Sequence, residues 1–223
     1  MGEIPGARAE LDRLGGALRA QLVELISELT PGTGLDLLFL DEPTVVDWHE
    51  PLKYRYSTDF RGARAAEVGA AEVARLGAGR LAAAGWTVSQ APEADGSGTV
   101  VTGTRDGMSI EIRVAEHVPN VLFSGRTPAM ALFTPSFEWP APVRTPENLT
   151  PGYVLCYECD GLGRCPECGG RGWLPDEAAG RVKCPECLGR RVCPICRDAG
   201  ELAISQLQPF QRGYYPELGK RPE

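Results

Sequence analysis

The eight cysteines of this 223-residue chain constrain its fold more than any other feature of the sequence. They occur as four Cys-x-x-Cys pairs, which we number as knuckles 1 to 4: Cys156/Cys159, Cys165/Cys168, Cys184/Cys187 and Cys193/Cys196. Two residues between the cysteines allow one tight turn to direct both sulfurs at a single ion. Four such turns supply eight thiolates, so the sequence predicts two tetrahedral sites and a cofactor of two zinc ions.

The gaps between the knuckles indicate which of them share an ion. Only five residues separate knuckle 1 from knuckle 2, and five separate knuckle 3 from knuckle 4, which makes a closed site within either pair cramped. Fifteen residues separate knuckle 2 from knuckle 3, a spacing typical of zinc sites. We therefore predict site 1 from Cys156, Cys159, Cys193 and Cys196, and site 2 from Cys165, Cys168, Cys184 and Cys187.

The knuckles and the residues after them resemble the cysteine-rich domain of DnaJ-type co-chaperones, whose repeat is Cys-x-x-Cys-x-Gly-x-Gly. Residues 156–163 and 165–172 match this repeat in full. The third repeat has Arg191 in place of its last Gly, and the fourth has Asp198 in place of its first. The family pairs its repeats as the spacing indicates here. The resemblance covers roughly residues 153–203, and it implies a β-ribbon module with two structural zinc ions that engages polypeptide.

Other parts of that family's architecture are missing from this sequence. The family's J-domain stimulates an ATPase partner through a His-Pro-Asp tripeptide, whereas the nearest segment here, residues 117–120, is His-Val-Pro-Asn. A Gly/Phe-rich linker is missing as well. We therefore expect a cysteine-rich module used without a J-domain, and we expect no stimulation of an ATPase.

The cysteine-free part of the chain predicts an α+β domain. Apolar residues recur at three- and four-residue steps over Ala7–Leu29, which is typical of an amphipathic helix, and a second, Ala-rich helix is predicted over 63–84. Short alternating segments follow, with a hairpin turn at Asp106-Gly107, so we expect two helices on a mainly antiparallel sheet. Residues 35–40 predict either one further short buried apolar strand or the end of the helical layer.

Composition divides the chain into four predicted parts. These are an α+β domain at 1–134, a Pro-rich linker at 135–152, the cysteine-rich two-zinc module at 153–203 and a C-terminal tail at 204–223. Proline stiffens the linker. We expect its two aromatic residues, Phe137 and Trp139, to dock on one of the domains, and the alternative is that they form a partner-binding stretch.

Charge and cysteine usage restrict the partners and the compartment. The net charge is −7, and each four-thiolate zinc site adds about two negative charges. Nucleic-acid binding needs a basic surface, so we do not expect nucleic acid as a partner. Cysteine confined to metal-type spacing favours a reducing compartment. With no apolar run of membrane-spanning length and no signal segment, we expect a cytoplasmic protein without a membrane partner.

A catalytic arrangement is not apparent, because His49 and His117 lie in unlike contexts and no nucleophile motif occurs. We therefore expect a non-catalytic adaptor or chaperone-like protein that binds a polypeptide partner or an unfolded client. The candidate contact residues are apolar residues of the small module, although packing around the zinc sites explains them equally well. They are Leu155, Tyr157, Leu162, Trp173, Val192 and Ile195.

Two alternatives to the adaptor remain open at this stage. Cys-x-x-Cys is also the motif of thiol–disulfide exchange, so an oxidoreductase or isomerase is one alternative. A zinc-ribbon regulator that binds nucleic acid is the other. Assembly into a homo-oligomer is left open as well.

Overall fold

The structure is a computed structural model, and it describes residues 2–32, 34, 42–94 and 96–219. The chain forms two compact units, one that ends at Pro135 and one that begins at Ser136. The strand predicted at 35–40 lies outside the described residues. Within the described part of the chain, no helix combines the length and the apolar character that crossing a membrane requires.

The first unit is an α+β structure with two helices and antiparallel sheets. Its helices are α1 (Ala7–Leu29) and α2 (Ala70–Ala83). Its strands are β1 (Gly2–Glu3), β2 (Thr44–Asp47), β3 (Lys53–Arg55), β4 (Ser57–Ala63), β5 (Thr87–Pro92), β6 (Gly98–Arg105), β7 (Met108–Ala115), β8 (Asn120–Arg126), β9 (Met130–Ala131) and β10 (Phe133–Thr134).

A five-stranded antiparallel sheet forms the centre of this unit, with strand order β4-β8-β7-β6-β5. The predicted hairpin is confirmed, because Asp106 and Gly107 join β6 to β7 with φ of 50° and 74°. Positive φ at both turn positions is what a two-residue hairpin of this twist requires. A smaller sheet of order β2-β3-β9 and the pair β1-β10 complete the unit.

The core of the first unit is apolar and lies between the helices and the main sheet. Helix α1, whose predicted bounds are confirmed, contributes a fully buried stripe that includes Leu18, Leu22 and Leu25. The sheet contributes alternate buried residues such as Ile112. Close packing is possible because β8 has a glycine opposite α1: a Cβ at Gly125 would lie 2.5 Å from Leu22 Cδ1. The unit therefore has a continuous core of its own.

Helix α2 differs from the prediction at its start. It begins at Ala70, whereas the Ala-rich run predicts a helix from residue 63. Ala63 is instead the last residue of β4, where it pairs with Asn120 of β8, and residues 64–69 form turns and irregular backbone before the helix. Alanine favours helices locally, but at Ala63 the pairing of β4 with a neighbouring strand overrides this weak preference.

The second unit contains two short antiparallel strand pairs and single-turn 3₁₀ helices. The strands are β11 (Tyr153–Leu155), β12 (Trp173–Asp176), β13 (Gly180–Lys183) and β14 (Glu201–Ala203). Strand β11 pairs with β14, and β12 pairs with β13. The 3₁₀ helices are Pro146–Asn148, Ile204–Gln206, Gln211–Tyr214 and Pro216–Gly219. Each strand pair leads into two of the four knuckles, and this places two knuckles at the end of each pair.

Candidate metal centre

The structure brings the eight cysteines together in two separate clusters of four. One contains Cys156, Cys159, Cys193 and Cys196, and the other contains Cys165, Cys168, Cys184 and Cys187. These are the two sets that the spacing groups together. Within each cluster all four sulfurs lie within 4.8 Å of one another, and all eight residues are buried.

The sulfur separations fit a tetrahedral zinc ion. In the first cluster Cys156 Sγ lies 3.8 Å from Cys193 Sγ, and Cys159 Sγ lies 3.6 Å from Cys196 Sγ. The matching separations in the second cluster are 3.9 and 3.8 Å. A zinc–sulfur bond of ~2.3 Å gives a tetrahedron with edges of about 3.8 Å. None of the eight cysteines forms a disulfide, so all the sulfurs are available as thiolate ligands.

A pseudo-two-fold relation connects the two clusters. The Cys156 N–H donates to the carbonyl of Gly200 at 2.9 Å, and the Cys184 N–H donates to the carbonyl of Gly172 at 3.0 Å. The other two knuckles make a second matching pair of bonds, from Cys165 N–H to Arg191 and from Cys193 N–H to Gly163. Knuckle 1 therefore corresponds to knuckle 3, and knuckle 2 to knuckle 4. This relation allows any residue of one half to be compared with its counterpart in the other.

The backbone supplies hydrogen bonds to the sulfurs. The second cysteine of a knuckle accepts from the N–H four residues later, as in Gly163 to Cys159 at 3.3 Å. The same bond runs from Gly172 to Cys168 at 3.2 Å and from Gly200 to Cys196 at 3.3 Å. Such donors reduce the charge density on a metal-bound thiolate and orient it. In three of the four repeats, therefore, the last glycine donates its N–H to a cysteine sulfur.

The two departures from the glycine pattern keep the same backbone. Arg191 has φ of 70° and Asp198 has φ of 90°, so both adopt the left-handed conformation that glycine adopts without strain. Arg191 still donates its N–H to the sulfur of Cys187. The knuckle turns thus impose their geometry even where the sequence has lost the glycine.

Burial makes the thiols costly to ionise without a cation. Desolvation raises the pKa of the Cys156 and Cys165 thiols to about 12, and it also raises the pKa of Cys159 and Cys184. Desolvation opposes ionisation of Cys187 too, but hydrogen bonds from Arg191 and from neighbouring thiols outweigh it and lower its pKa to about 7. Four thiolates in one buried cluster therefore need a bound cation to offset their charge.

The segment before β11, residues 136–145, lies against the glycines of the repeats; we call it the aromatic segment. Its Arg144 N–H donates to the carbonyl of Gly161 at 3.0 Å. A Cβ at Gly161 would lie 2.1 Å from the Arg144 carbonyl oxygen, and one at Gly169 would lie 2.6 Å from Phe137. The guanidinium of Arg171 lies 4.4 Å from the centre of the Phe137 ring. Phe137 and Trp139 thus pack on the second unit itself.

The C-terminal segment, residues 204–219, covers part of knuckle 1. Tyr214 stacks on Tyr157 with ring centres 4.3 Å apart and planes 5° from parallel. The Tyr215 hydroxyl donates to the carbonyl of Leu155 at 2.5 Å and accepts from the Tyr157 N–H at 3.0 Å. Burial raises the pKa of Tyr215 to about 12. Two of the candidate contact residues therefore lie beneath a segment of the same chain.

The structure distributes the six candidate contact residues among different surroundings, and all six are half-buried. Leu162 and Ile195 pack against the first cysteine cluster. Trp173 lies beneath two guanidinium groups, those of Arg171 and Arg181, at 4.8 and 3.9 Å from its ring. Val192 lines an open groove.

That groove, about 450 Å³ in volume, lies between knuckles 3 and 4. Besides Val192 and cysteine atoms it is lined by Glu186, Leu188, Arg190, Pro194 and Arg197. None of these five residues is among the contact residues predicted from the sequence. A signal was present, however, because Leu188 follows the second cysteine of its knuckle, at a position where the turn points a side chain outward.

Both histidines belong to the first unit, whereas all eight cysteines belong to the second. His49 lies in the first unit, where its Nδ1 is 2.7 Å from Asp47 Oδ1. His117 is exposed in the turn between β7 and β8.

The fold and the clusters define the class of protein only broadly. The chain joins an α+β unit to a cysteine-rich unit whose two four-cysteine clusters can bind zinc. No protein-family model, no curated protein and no solved structure matches the chain. The resemblance to DnaJ-type domains thus rests on the repeat motif alone.

Proposed function

We propose that this protein is a non-catalytic adaptor or chaperone-like protein, and that its cysteine-rich unit binds a polypeptide partner while two zinc ions hold it folded. The main support for this proposal is the geometry of the two clusters of buried sulfurs. Within each cluster, sulfurs from different knuckles lie 3.6–3.9 Å apart. Four backbone-oriented thiolates leave no open position for a substrate on zinc, which is the arrangement of a structural site.

The DnaJ-type nature of the unit is part of the same proposal. The Cys-x-x-Cys-x-Gly-x-Gly repeats support it, and so does the task of their glycines, whose N–H groups bond the sulfurs. In this proposal the unit acts without a J-domain, and its partner is a polypeptide rather than an ATPase to be stimulated. The unit is small, so it leaves apolar side chains such as Leu188 and Tyr153 exposed for contacts.

The first experiment is a zinc measurement coupled to a binding measurement on the full chain. Purified protein is assayed for zinc by mass spectrometry and for binding to a permanently unfolded, carboxymethylated model protein by fluorescence anisotropy. Both assays are repeated after chelation and again after zinc is restored. We expect two zinc ions per chain and binding that disappears and returns with the metal.

Other outcomes favour the alternatives. Fewer than two zinc ions, with cysteines that titrate as disulfides, would favour thiol–disulfide exchange. Binding to nucleic acid that weakens steeply with salt would favour a regulator, because such binding depends on released counterions. Two zinc ions with binding that survives chelation would place the binding surface on the first unit.

A further inference from the structure

The two pseudo-symmetric halves of the cysteine-rich unit differ in what covers them. In the half with knuckles 1 and 2, Phe137 and Trp139 of the aromatic segment lie against Gly169. The counterpart of Gly169 in the other half is Arg197, since each is the residue after the second cysteine of its knuckle. At Arg197 the structure has the groove between knuckles 3 and 4, and no segment among the residues that the structure describes covers it in the same way.

The apolar part of this groove is unusually exposed. Leu188 has 57% of its surface exposed and φ of 50°, so the knuckle turn holds a bulky side chain in a left-handed conformation and points it outward. Most residues other than glycine and asparagine adopt this conformation only at an energetic cost. Pro194 and Val192 extend the apolar surface next to Leu188. A volume of about 450 Å³ lies within the range of ligand-binding clefts.

The charged part of the groove is mainly cationic. Arg190 and Arg197 line it, both are exposed, and neither guanidinium has a hydrogen-bond or ion-pair partner among the residues that the structure describes. Glu186 is the single acidic residue among the lining residues. Unpaired guanidinium groups bind carboxylates strongly, because their fork of N–H groups matches the two carboxylate oxygens.

We propose that this groove binds a short extended peptide in which an apolar side chain is flanked by carboxylates. The apolar side chain packs on Leu188 and Val192, and the carboxylates pair with Arg190 and Arg197. A polyanion such as nucleic acid fits less well, because the chain has a net charge of −7 and the groove offers only two cations. This inference rests on the proposed function and specifies the chemistry of its peptide.

A random dodecapeptide display library, selected on the zinc-loaded full chain, tests the inference. We expect the selected peptides to combine a Leu- or Phe-type residue with neighbouring Asp or Glu. The same selection is made on the double variant R190E/R197E, which reverses both groove charges. We expect its peptides to lose the acidic preference and to gain Lys and Arg, with the wild-type peptides bound at least about tenfold more weakly.

A matched control keeps the charge change and moves it elsewhere. The double variant R61E/R126E makes the same change at two exposed strand positions of the first unit. We expect it to select the same acidic peptides as the wild type. Zinc content is measured on every variant, and a second variant, Leu188→Ser, tests the apolar half of the groove without changing charge.

The outcomes separate this inference from the proposed function. Two outcomes would overturn the proposed role of the groove and leave the adaptor function intact. One is zinc-dependent peptide selection without an acidic preference, and the other is an acidic preference that R190E/R197E retains. Failure to select any peptide on fully zinc-loaded protein would overturn both. If R190E/R197E lost its zinc, the single variants Arg190→Gln and Arg197→Gln and the variant Leu188→Ser would decide in its place.

Discussion

The first unit buries Leu22, Ile112 and Phe123 between two helices and a five-stranded sheet, whereas the second unit buries eight sulfurs in turns that adjoin strands of three or four residues. Strands this short cannot enclose a continuous apolar core, so their fold depends on another source of free energy. Zinc bound by the sulfurs is such a source, because binding energy becomes folding energy when the site forms only on folding. The comparison predicts two units with different vulnerabilities.

Removal of zinc is expected to have the largest effect, and it should act on the second unit alone. Structural zinc sites contribute an apparent ~10–16 kcal/mol of binding free energy, which is as large as or larger than the whole net stability of a small domain. Hydrogen exchange of the chelated full chain, read by mass spectrometry, should show lost protection over residues 153–203 and retained protection in α1 and β7. If the second unit stayed protected after complete loss of zinc, its fold would not depend on the metal and the prediction would be wrong.

A cavity in the apolar core should have the opposite effect: it should destabilise the first unit and leave the second unit unchanged. Leu22 is fully buried, so Leu22→Ala is expected to cost the first unit about 2–5 kcal/mol through lost contacts and the cavity left behind. Zinc stoichiometry should stay at two ions per chain. The control is Leu122→Ala, because Leu122 is 39% exposed and its truncation should change stability by less than about 0.5 kcal/mol. Chemical denaturation measures both variants, and equal effects would contradict the prediction.

Two glycines of the second unit differ in whether a side chain at their position would clash with the backbone of another segment. Gly161 has φ of 81°, and a Cβ there would lie 2.1 Å from the Arg144 carbonyl oxygen. Gly152 has φ of 84° with no atom within 4 Å of such a Cβ. Both Gly→Ala variants pay about 1–2 kcal/mol for the left-handed backbone, but only Gly161→Ala must also displace the aromatic segment. The chelator concentration that extracts half the zinc should fall further for Gly161→Ala, and identical midpoints would show that the segment does not support the fold.

The smallest expected effect depends on pH and belongs to the first unit. A hydrogen bond from the Tyr56 hydroxyl, and then the Arg8 guanidinium, hold the pKa of Asp12 below its usual range. A lowered pKa stabilises the fold above the unfolded value of about 3.9, and this contribution is lost as the pH falls through the folded value. Asp12 is half-exposed, so Asp12→Asn should cost at most about 1 kcal/mol at neutral pH.

The acid-dependent difference is measured by urea denaturation of Asp12→Asn and wild type from neutral to strongly acidic pH. We expect the two stabilities to converge as the pH falls. Asp59→Asn, at an exposed position of β4, is the control and should follow the wild type throughout. A difference that persists unchanged in acid would show that the Asn side chain disturbs packing, and that the charge of Asp12 is not the cause.

Sequence-local features were predictable from the sequence because few distant contacts influence them. The apolar period of α1, the Asp106-Gly107 hairpin and the turn geometry of the knuckles all depend on neighbouring residues. The grouping of the cysteines was also accessible, because five residues make the return between adjacent knuckles cramped while fifteen allow it. The start of α2, by contrast, was predicted too early. Ala63 belongs to a strand because it pairs with β8, more than fifty residues away in sequence.

The sequence by itself determined the two zinc-compatible clusters and the α+β class, because spacing and periodicity express short-range geometry. Only the tertiary structure decided which apolar residues of the second unit stay accessible. Tyr157 is covered by Tyr214 and Tyr215, which lie over fifty residues later in the chain, while Leu188 has no covering segment among the described residues. Exposure depends on which remote segment packs over a side chain, and no local pattern contains that information.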